Sequence, residues 1–142
     1  MKRIRILTLL SVLAVALSVG FLPGVAKANG GGSQTEVTIQ PQAEYILADS
    51  VINVGLYVKC QGGSGAVVVN VTQSPPATPY PISAGSGPQI VVCDGQTHSV
   101  AVTVTGEGFD AGTAWATADL TTGSPTVVAH AQRSITIVVV TG

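Results

Sequence analysis

The sequence has little charge and few aromatic side chains. Charged residues make up 9% and aromatic residues 4% of its 142 positions, and there are only two cysteines and one tryptophan. Four of the six Lys and Arg residues lie within the first 28 positions, which leaves Lys59 and Arg133 against seven carboxylates in the remainder, a formal charge of −5. Binding to nucleic acid or to anionic lipid needs clustered cations, so this balance argues against both.

The first 28 residues have the pattern of an export signal. A cationic start precedes a 17-residue apolar run from Ile6 to Leu22, and Ala26-Lys27-Ala28 forms a small-x-small cleavage site. The run is at the short end of the spanning range, and no charge cluster follows it. We therefore expect residues 1–28 to be removed, with secretion rather than membrane retention; the alternative is an uncleaved anchor. Residues 29–34 are then a flexible leader, and 35–142 form a single domain.

The domain region shows no helical periodicity, because Pro and Gly interrupt every apolar stretch. Apolar residues instead alternate with polar ones in short runs that are separated by turn residues, and turns are predicted at residues 61–65 and at Asp94-Gly95. The clearest runs are Val54–Cys60, Val67–Val71, Val100–Val104, Ala114–Leu120 and Ile135–Val139. This texture predicts an all-β, immunoglobulin-like antiparallel β-sandwich of about seven or eight strands.

The two cysteines are predicted to pair. Cys60 shares the apolar face of its strand, Cys93 ends another short strand, and an exported protein meets an oxidising environment. Such a disulfide would be buried between sheets or strands and would contribute roughly 3–4 kcal/mol in the chain-entropy model. The alternative is two free thiols or a metal pair, but no CxxC spacing accompanies them.

Three short segments resemble small exported proteins of actinomycetes. They are Cys93–His98, Val71–Gln73 and Phe109–Ala114. Those proteins are single immunoglobulin-like sandwiches behind a signal peptide, without an assigned function, and the likeness spans about residues 51–118. It implies the fold and export but no catalytic residues. A second likeness, in architecture alone, is to secreted apoproteins that carry enediyne chromophores; those have two disulfides, whereas this chain has one at most.

Asp94, His98 and Ser99 include the residue types of a hydrolytic triad. In a triad the base must reach the nucleophile, with the acid behind it. Adjacent strand residues point to opposite faces, so His98 and Ser99 should diverge. The simpler interpretation is that Asp94 caps a turn and His98 ends a strand. The sequence therefore predicts no catalytic residues and no enzymatic activity.

Metal ligands are also too few for a recognisable site. His98 and His130 are the only imidazoles, whereas zinc needs three or four ligands. Glu107 and Asp110 could contribute to a calcium site, but their spacing matches no known loop. We predict neither a metal nor a cofactor.

Two features are candidate contacts for a ligand or partner. Trp115 is in phase with the polar face of its strand, where an exposed aromatic can stack on sugar rings or anchor a partner. The interpretation we favour is instead that a loop or strand covers Trp115 to form a second small core. The Pro-rich segment 74–81, which includes Pro79 and Tyr80, is either a stiff connector or a pre-ordered binding loop.

The sequence predicts a secreted, non-catalytic module that contacts an extracellular protein or a cell-wall component of unknown identity. One alternative is a carrier that holds a small ligand in the cleft between sheets, which predicts a concave apolar pocket near Trp115. The other is an enzyme inhibitor acting through residues 74–81, which predicts a protruding, ordered loop.

Overall fold

Residues 35–123 and 125–141 are described by a computed structural model, and the predicted signal peptide and leader lie outside the described residues. This part of the chain contains strands and no helix, which confirms the all-β prediction. An apolar helix of membrane-spanning length is accordingly absent from these residues. The strands are β1 Glu36–Ile46, β2 Val51–Gln73, β3 Ile82–Gly85, β4 Gln89–Thr105, β5 Gly112–Thr121 and β6 Val127–Val140.

Six strands are described instead of the predicted seven or eight, because two of them are longer than expected. β2 continues through Gly62 and Gly63, and β4 continues through Gly95, where the sequence predicted turns. These glycines have φ values of 111°, 94° and 82°, a region that residues with a Cβ rarely adopt. The β2–β4 register shifts on both sides of Gln61, so the glycines form bulges within the ladder instead of ending the strands.

The strands form a closed ring in which β2 has a central position. Its first half, residues 51–59, lies between β1 and β4, and its second half pairs with β5 on one side and with β3 and the start of β4 on the other. β5 pairs with β6, and β6 returns to β1 through a parallel ladder over residues 42–46 of β1. The hydrogen-bonded path β1-β6-β5-β2 therefore closes on itself.

One hydrophobic core lies behind the inward faces of these strands. β2 supplies Val, Leu and Ile side chains, whereas the inward positions of β5 and the first half of β6 are mostly alanine. Phe109, in the loop between β4 and β5, is 3% exposed and packs edge-on against Tyr45 with ring centroids 6.1 Å apart. Gln73 holds the same loop, since its amide accepts from the Asp110 N–H and donates to the Asp110 carbonyl.

The predicted Cys60–Cys93 disulfide is confirmed. Both residues are buried, their Cα atoms are 4.5 Å apart, and the bond closes a separation of 33 residues. It joins the neighbouring strands β2 and β4 beside the Gly62–Gly63 bulge. In true immunoglobulin domains the disulfide links two sheets, so this bond differs from theirs in placement.

Gly65 is predicted to be intolerant of any side chain. A Cβ at this position would lie 2.8 Å from the Thr121 carbonyl oxygen and 3.1 Å from the Cys93 sulfur. The carbonyl belongs to the β5 backbone and cannot move without disturbing the ladder. Gly65→Ala should therefore lower the free energy of unfolding by about 1–3 kcal/mol, measured by urea denaturation with the disulfide intact.

Gly87→Ala is the matched control, because a Cβ there meets nothing within 4 Å. Its free energy of unfolding should stay within about 0.5 kcal/mol of the wild-type value. Equal stability of the Gly65 and Gly87 variants would contradict the close approach of β5 to Gly65.

Candidate functional site

The outward side of β4, β2 and β1, extended by one residue of β6, forms a polar surface that we call the Tyr57 face. Its side chains alternate with the buried Val54, Leu56 and Val58 along β2, so they point away from the core. The face consists of Glu36, Thr38, Gln40, Gln42 and Glu44 on β1, Asn53, Gly55, Tyr57 and Lys59 on β2, Thr97, Ser99 and Ala101 on β4, and Val138 on β6.

Two depressions follow one another along this face. The first, of about 160 Å³, is lined by Glu36, Thr38, Tyr57, Lys59 and Thr97. The second, of about 300 Å³, is lined by Gln40, Gln42, Glu44, Asn53, Gly55, Ala101 and Val138. Tyr57 and Thr38 end the first depression, and the next outward positions on their strands, Gly55 and Gln40, begin the second. The concave surface therefore runs parallel to the strands.

The second depression arises from an irregularity in β1. Ile39 pairs with Leu56 and Ala43 pairs with Val54, so three residues of β1 lie opposite the single residue Gly55 of β2. The extra length brings the side chain of Gln40 over Gly55, where a Cβ would lie 2.6 Å from its Cδ atom. On the other side, Gly55 pairs with the small residue Ala101. Gln40 thus fills the space above Gly55, and the hollow beside it corresponds to the small side chain of Ala101.

The chemistry of the Tyr57 face combines one aromatic ring with many neutral polar groups. Tyr57 is 47% exposed and pairs across the ladders with Thr38 and Ser99. The amides of Gln40, Gln42 and Asn53 can each donate and accept hydrogen bonds, whereas a carboxylate only accepts and an ammonium only donates. Such a surface can bind a polar ligand that presents both kinds of group.

No sequence motif marks this site, although the alternation along β2 directs Asn53, Tyr57 and Lys59 outward. The available signal was Gly55, since a glycine inside a strand often marks the close approach of a ligand or of another chain segment. The partner strands of β2, and with them the nearness of Gln40 and Ala101, depend on long-range pairing that the sequence pattern does not reveal.

Trp115 lies on a different outward surface, and the interpretation that it fills a second small core is wrong. Its side chain is 47% exposed. β5 keeps a strict alternation, so Trp115 stays opposite the buried Ala114 and Ala116. Its cross-strand neighbours are Thr72 and Ser134, whose small side chains cannot cover an indole ring. Trp115 is thus exposed on a surface that is separate from the Tyr57 face.

The Pro-rich segment 74–81 forms an ordered turn. The Thr78 N–H donates to the Pro75 carbonyl over 3.3 Å, and the Thr78 hydroxyl donates to the Tyr80 carbonyl over 3.0 Å. Pro75 is buried, whereas Pro79 is exposed and Tyr80 is 75% exposed. The structure does not bring Pro79, Tyr80 and Trp115 together as one site in any contact of the described residues.

Asp94 and His98 interact directly, but without a nucleophile. The Nε2 atom of His98 is 2.8 Å from Oδ1 of Asp94, and the same oxygen accepts from the Gln96 N–H. Asp94 therefore accepts a hydrogen bond across Gly95, inside the bulged part of β4. Ser99 is the next residue on β4, is exposed and pairs with Tyr57. Its side chain lies on the opposite face of β4 from the side chain of His98. The two side chains diverge, as the sequence indicated.

The second histidine is occupied in the same way, since Nδ1 of His130 on β6 contacts Oδ1 of Asp119 on β5. His98 and His130 thus belong to separate pairs. Among residues 35–123 and 125–141, no three His, Cys, Asp or Glu side chains converge as a metal site would require. Asp110 and Glu107 are exposed and stay outside any such group.

Comparisons with known proteins do not add a family. A scan against protein-family models found no match to this chain, and a search of curated proteins found none either. The functional argument therefore depends on the geometry of the surfaces described above.

The exposure of Trp115 can be measured by fluorescence, because it is the only tryptophan of the chain. With 47% of its side chain exposed, its emission should be red-shifted and acrylamide should quench it readily in the folded protein. Trp115→Phe provides the background from tyrosine. Blue-shifted emission that resists acrylamide would show that the indole is covered after all.

The pKa of Asp94 is predicted to lie below its ordinary value of 3.8. The larger cause is the hydrogen bond that the carboxylate accepts from His98, and the smaller is the one that it accepts from the Gln96 N–H. A depressed carboxyl pKa favours the folded state above pH 3.8, and this contribution is lost as the pH falls through the lowered value. Carboxyl ¹³C NMR titration should show the low midpoint, and His98→Ala should raise it. An unchanged midpoint in His98→Ala would contradict the pairing.

Proposed function

We propose that this chain is a secreted, non-catalytic binding module that engages an extracellular partner through the Tyr57 face. The observation that carries the proposal is the concave, exposed surface in which a half-exposed aromatic ring adjoins a hollow lined by amides. Few surfaces on a sheet combine a depression with an aromatic side chain at its edge, and hot spots of binding energy are enriched in Tyr and Trp.

The scaffold under the Tyr57 face supports binding because it is rigid. The first half of β2 is hydrogen-bonded on both sides, to β1 and to β4, and the Cys60–Cys93 disulfide fixes β4 beside it. The backbone under the face is already ordered, so binding a partner restricts only the exposed side chains. A surface that is already in place binds at a lower entropic cost than a loop that must become ordered.

The proposal also includes an immunoglobulin-like fold and export from the cell. The two halves of β2 lie in different strand neighbourhoods, and β1 and β6 join them, an arrangement that suits an immunoglobulin-like sandwich of two layers. Export is supported by the cationic and apolar residues 1–28 and by a disulfide that suits an oxidising compartment. Absence of catalysis is supported by the pairing of His98 with Asp94, away from Ser99.

The alternatives have weaker support. A small-ligand carrier needs a concave apolar pocket near Trp115, whereas the depressions of about 160 and 300 Å³ lie on the Tyr57 face, which does not include Trp115. An enzyme inhibitor acting through residues 74–81 is the second candidate, because Tyr80 is 75% exposed on a hydrogen-bonded turn. A rigid, exposed residue of this kind is what an inhibitory loop presents.

The proposal is tested with the mature protein immobilised and exposed to culture medium and cell-wall fractions of the source organism. The wild-type protein should retain a component that Ala101→Gln fails to retain, since the longer side chain fills the hollow. Ala101 is exposed on β4, so the substitution should leave the fold intact, which circular dichroism and thermal unfolding check.

Trp115→Ala is the matched control, because Trp115 has the same 47% exposure as Tyr57 but lies on another surface. It should retain the component as the wild-type protein does. Equal retention by wild type and Ala101→Gln, or retention of nothing by the wild type, would refute binding through the Tyr57 face.

A further inference from the structure

We infer that the ligand of the Tyr57 face is a neutral polysaccharide chain that lies along the strands. This inference depends on the proposed function, because it names the ligand class of the same surface. It is argued from the shape of the face, its aromatic residue, its polar groups and its charge.

The shape of the face suits an elongated ligand. The two depressions lie in line along β1 and β2, from the pair Glu36 and Lys59 at one end to Glu44 and Asn53 at the other. Lys59 and Asn53 are six positions apart on β2, which corresponds to roughly 20 Å of extended strand. A compact small molecule would occupy only one of the depressions, whereas a chain of linked sugars would extend through both.

Tyr57 provides the contact that sugar rings favour. Its ring is 47% exposed and stands between the two depressions, on a strand that is held on both sides. The C–H face of a pyranose is apolar and the ring edges carry hydroxyls, so an amphipathic aromatic side chain matches it. Tyrosine also offers this contact area at low entropic cost, since it has only two side-chain torsions.

The polar groups match a ligand rich in hydroxyl or acetamido groups. Gln40 and Gln42 line one wall of the second depression, and Asn53 lines its floor on β2. Each amide both donates and accepts, and sugar hydroxyls and acetamido groups do the same. Thr38 and Thr97 add hydroxyls at the first depression.

The charges of the face favour a neutral ligand. Glu36 and Glu44 are accompanied by Lys59, and each sign is present without a cluster. A nucleic acid or a sulfated chain would need several adjacent cations, and a polycation would need adjacent carboxylates. Neither arrangement exists among the described residues of the face.

A peptide suits the Tyr57 face less well. A peptide that adds a strand would pair with the outer edge of β4, since β4 pairs only with β2 among the described strands. It would then lie beside the depressions, because the β2 backbone under them is already paired with β1 and β4. A peptide that docks through side chains needs apolar pockets, and the second depression offers only Ala101 and Val138 as apolar side chains. The lining therefore favours sugars over side-chain anchors.

The test uses the mature protein and defined probes, namely β-1,4-linked hexamers of glucose and of N-acetylglucosamine in calorimetry, and insoluble cellulose and chitin in sedimentation. The wild-type protein should bind at least one probe. Tyr57→Ala should weaken that affinity about tenfold or more, and Ala101→Gln should abolish binding by filling the second depression. Trp115→Ala should bind as the wild type does.

The remaining outcomes decide whether the inference or the proposed function fails. Loss of binding in Trp115→Ala with retention in Ala101→Gln would place the sugar on the other surface and overturn the inference. Absence of binding to every probe would also overturn it. In that case the retention experiment with culture medium separates the two proposals. If the wild type retained a protein component that Ala101→Gln did not retain, the proposed function would stand with another ligand class. If the wild type retained nothing, the proposed function and the inference would both fail. Circular dichroism shows whether each variant is folded. If Tyr57→Ala does not fold, Ala101→Gln still tests the inference, because Ala101 is exposed.

Discussion

Strand β2 is the constraint on which the rest of the structure depends. Its 23 residues pair with four other strands, and only β6 lies out of its direct reach. The chain can extend so far because Gly62 and Gly63 take positive φ values and let the ladder bulge without ending. The disulfide and Gly65 lie beside this bulge, so covalent bonding and close backbone packing stabilise the point where β2 passes from one set of neighbours to the other.

The same long strand explains why the molecule offers two separate outward surfaces. Tyr57 belongs to the first half of β2, whereas Trp115 is paired with Thr72 in the second half. Both aromatic side chains are 47% exposed, yet only the surface around Tyr57 has the described depressions. The β1 irregularity opposite Gly55 lies at the second of these depressions. The groups that we propose for binding thus lie on paired strands, where geometry is well defined.

Some predictions from the sequence were correct because they depend on local alternation. The inward positions Val54, Leu56, Val58 and Cys60 are all buried, and Cys60 pairs with Cys93. The errors have two physical causes. Gly62-Gly63 and Asp94-Gly95 were read as turns, but a positive φ is equally compatible with a bulge inside a strand. Trp115 was assigned to a second core because the inward alanines of its strand leave space and an edge strand breaks phase easily, whereas β5 is paired on both sides and keeps its phase.

Residue order by itself determined the all-β class, the inward or outward direction of most side chains and the identity of the disulfide partners, since each follows from a period of two or from having only two cysteines. Tertiary structure alone decided which outward residues meet. The Gln40 amide over Gly55, Ala101 beside it and His98 against Asp94 depend on strand register or on a bulge within a strand. Register is set by contacts between residues far apart in sequence, and a local pattern carries no information about those partners.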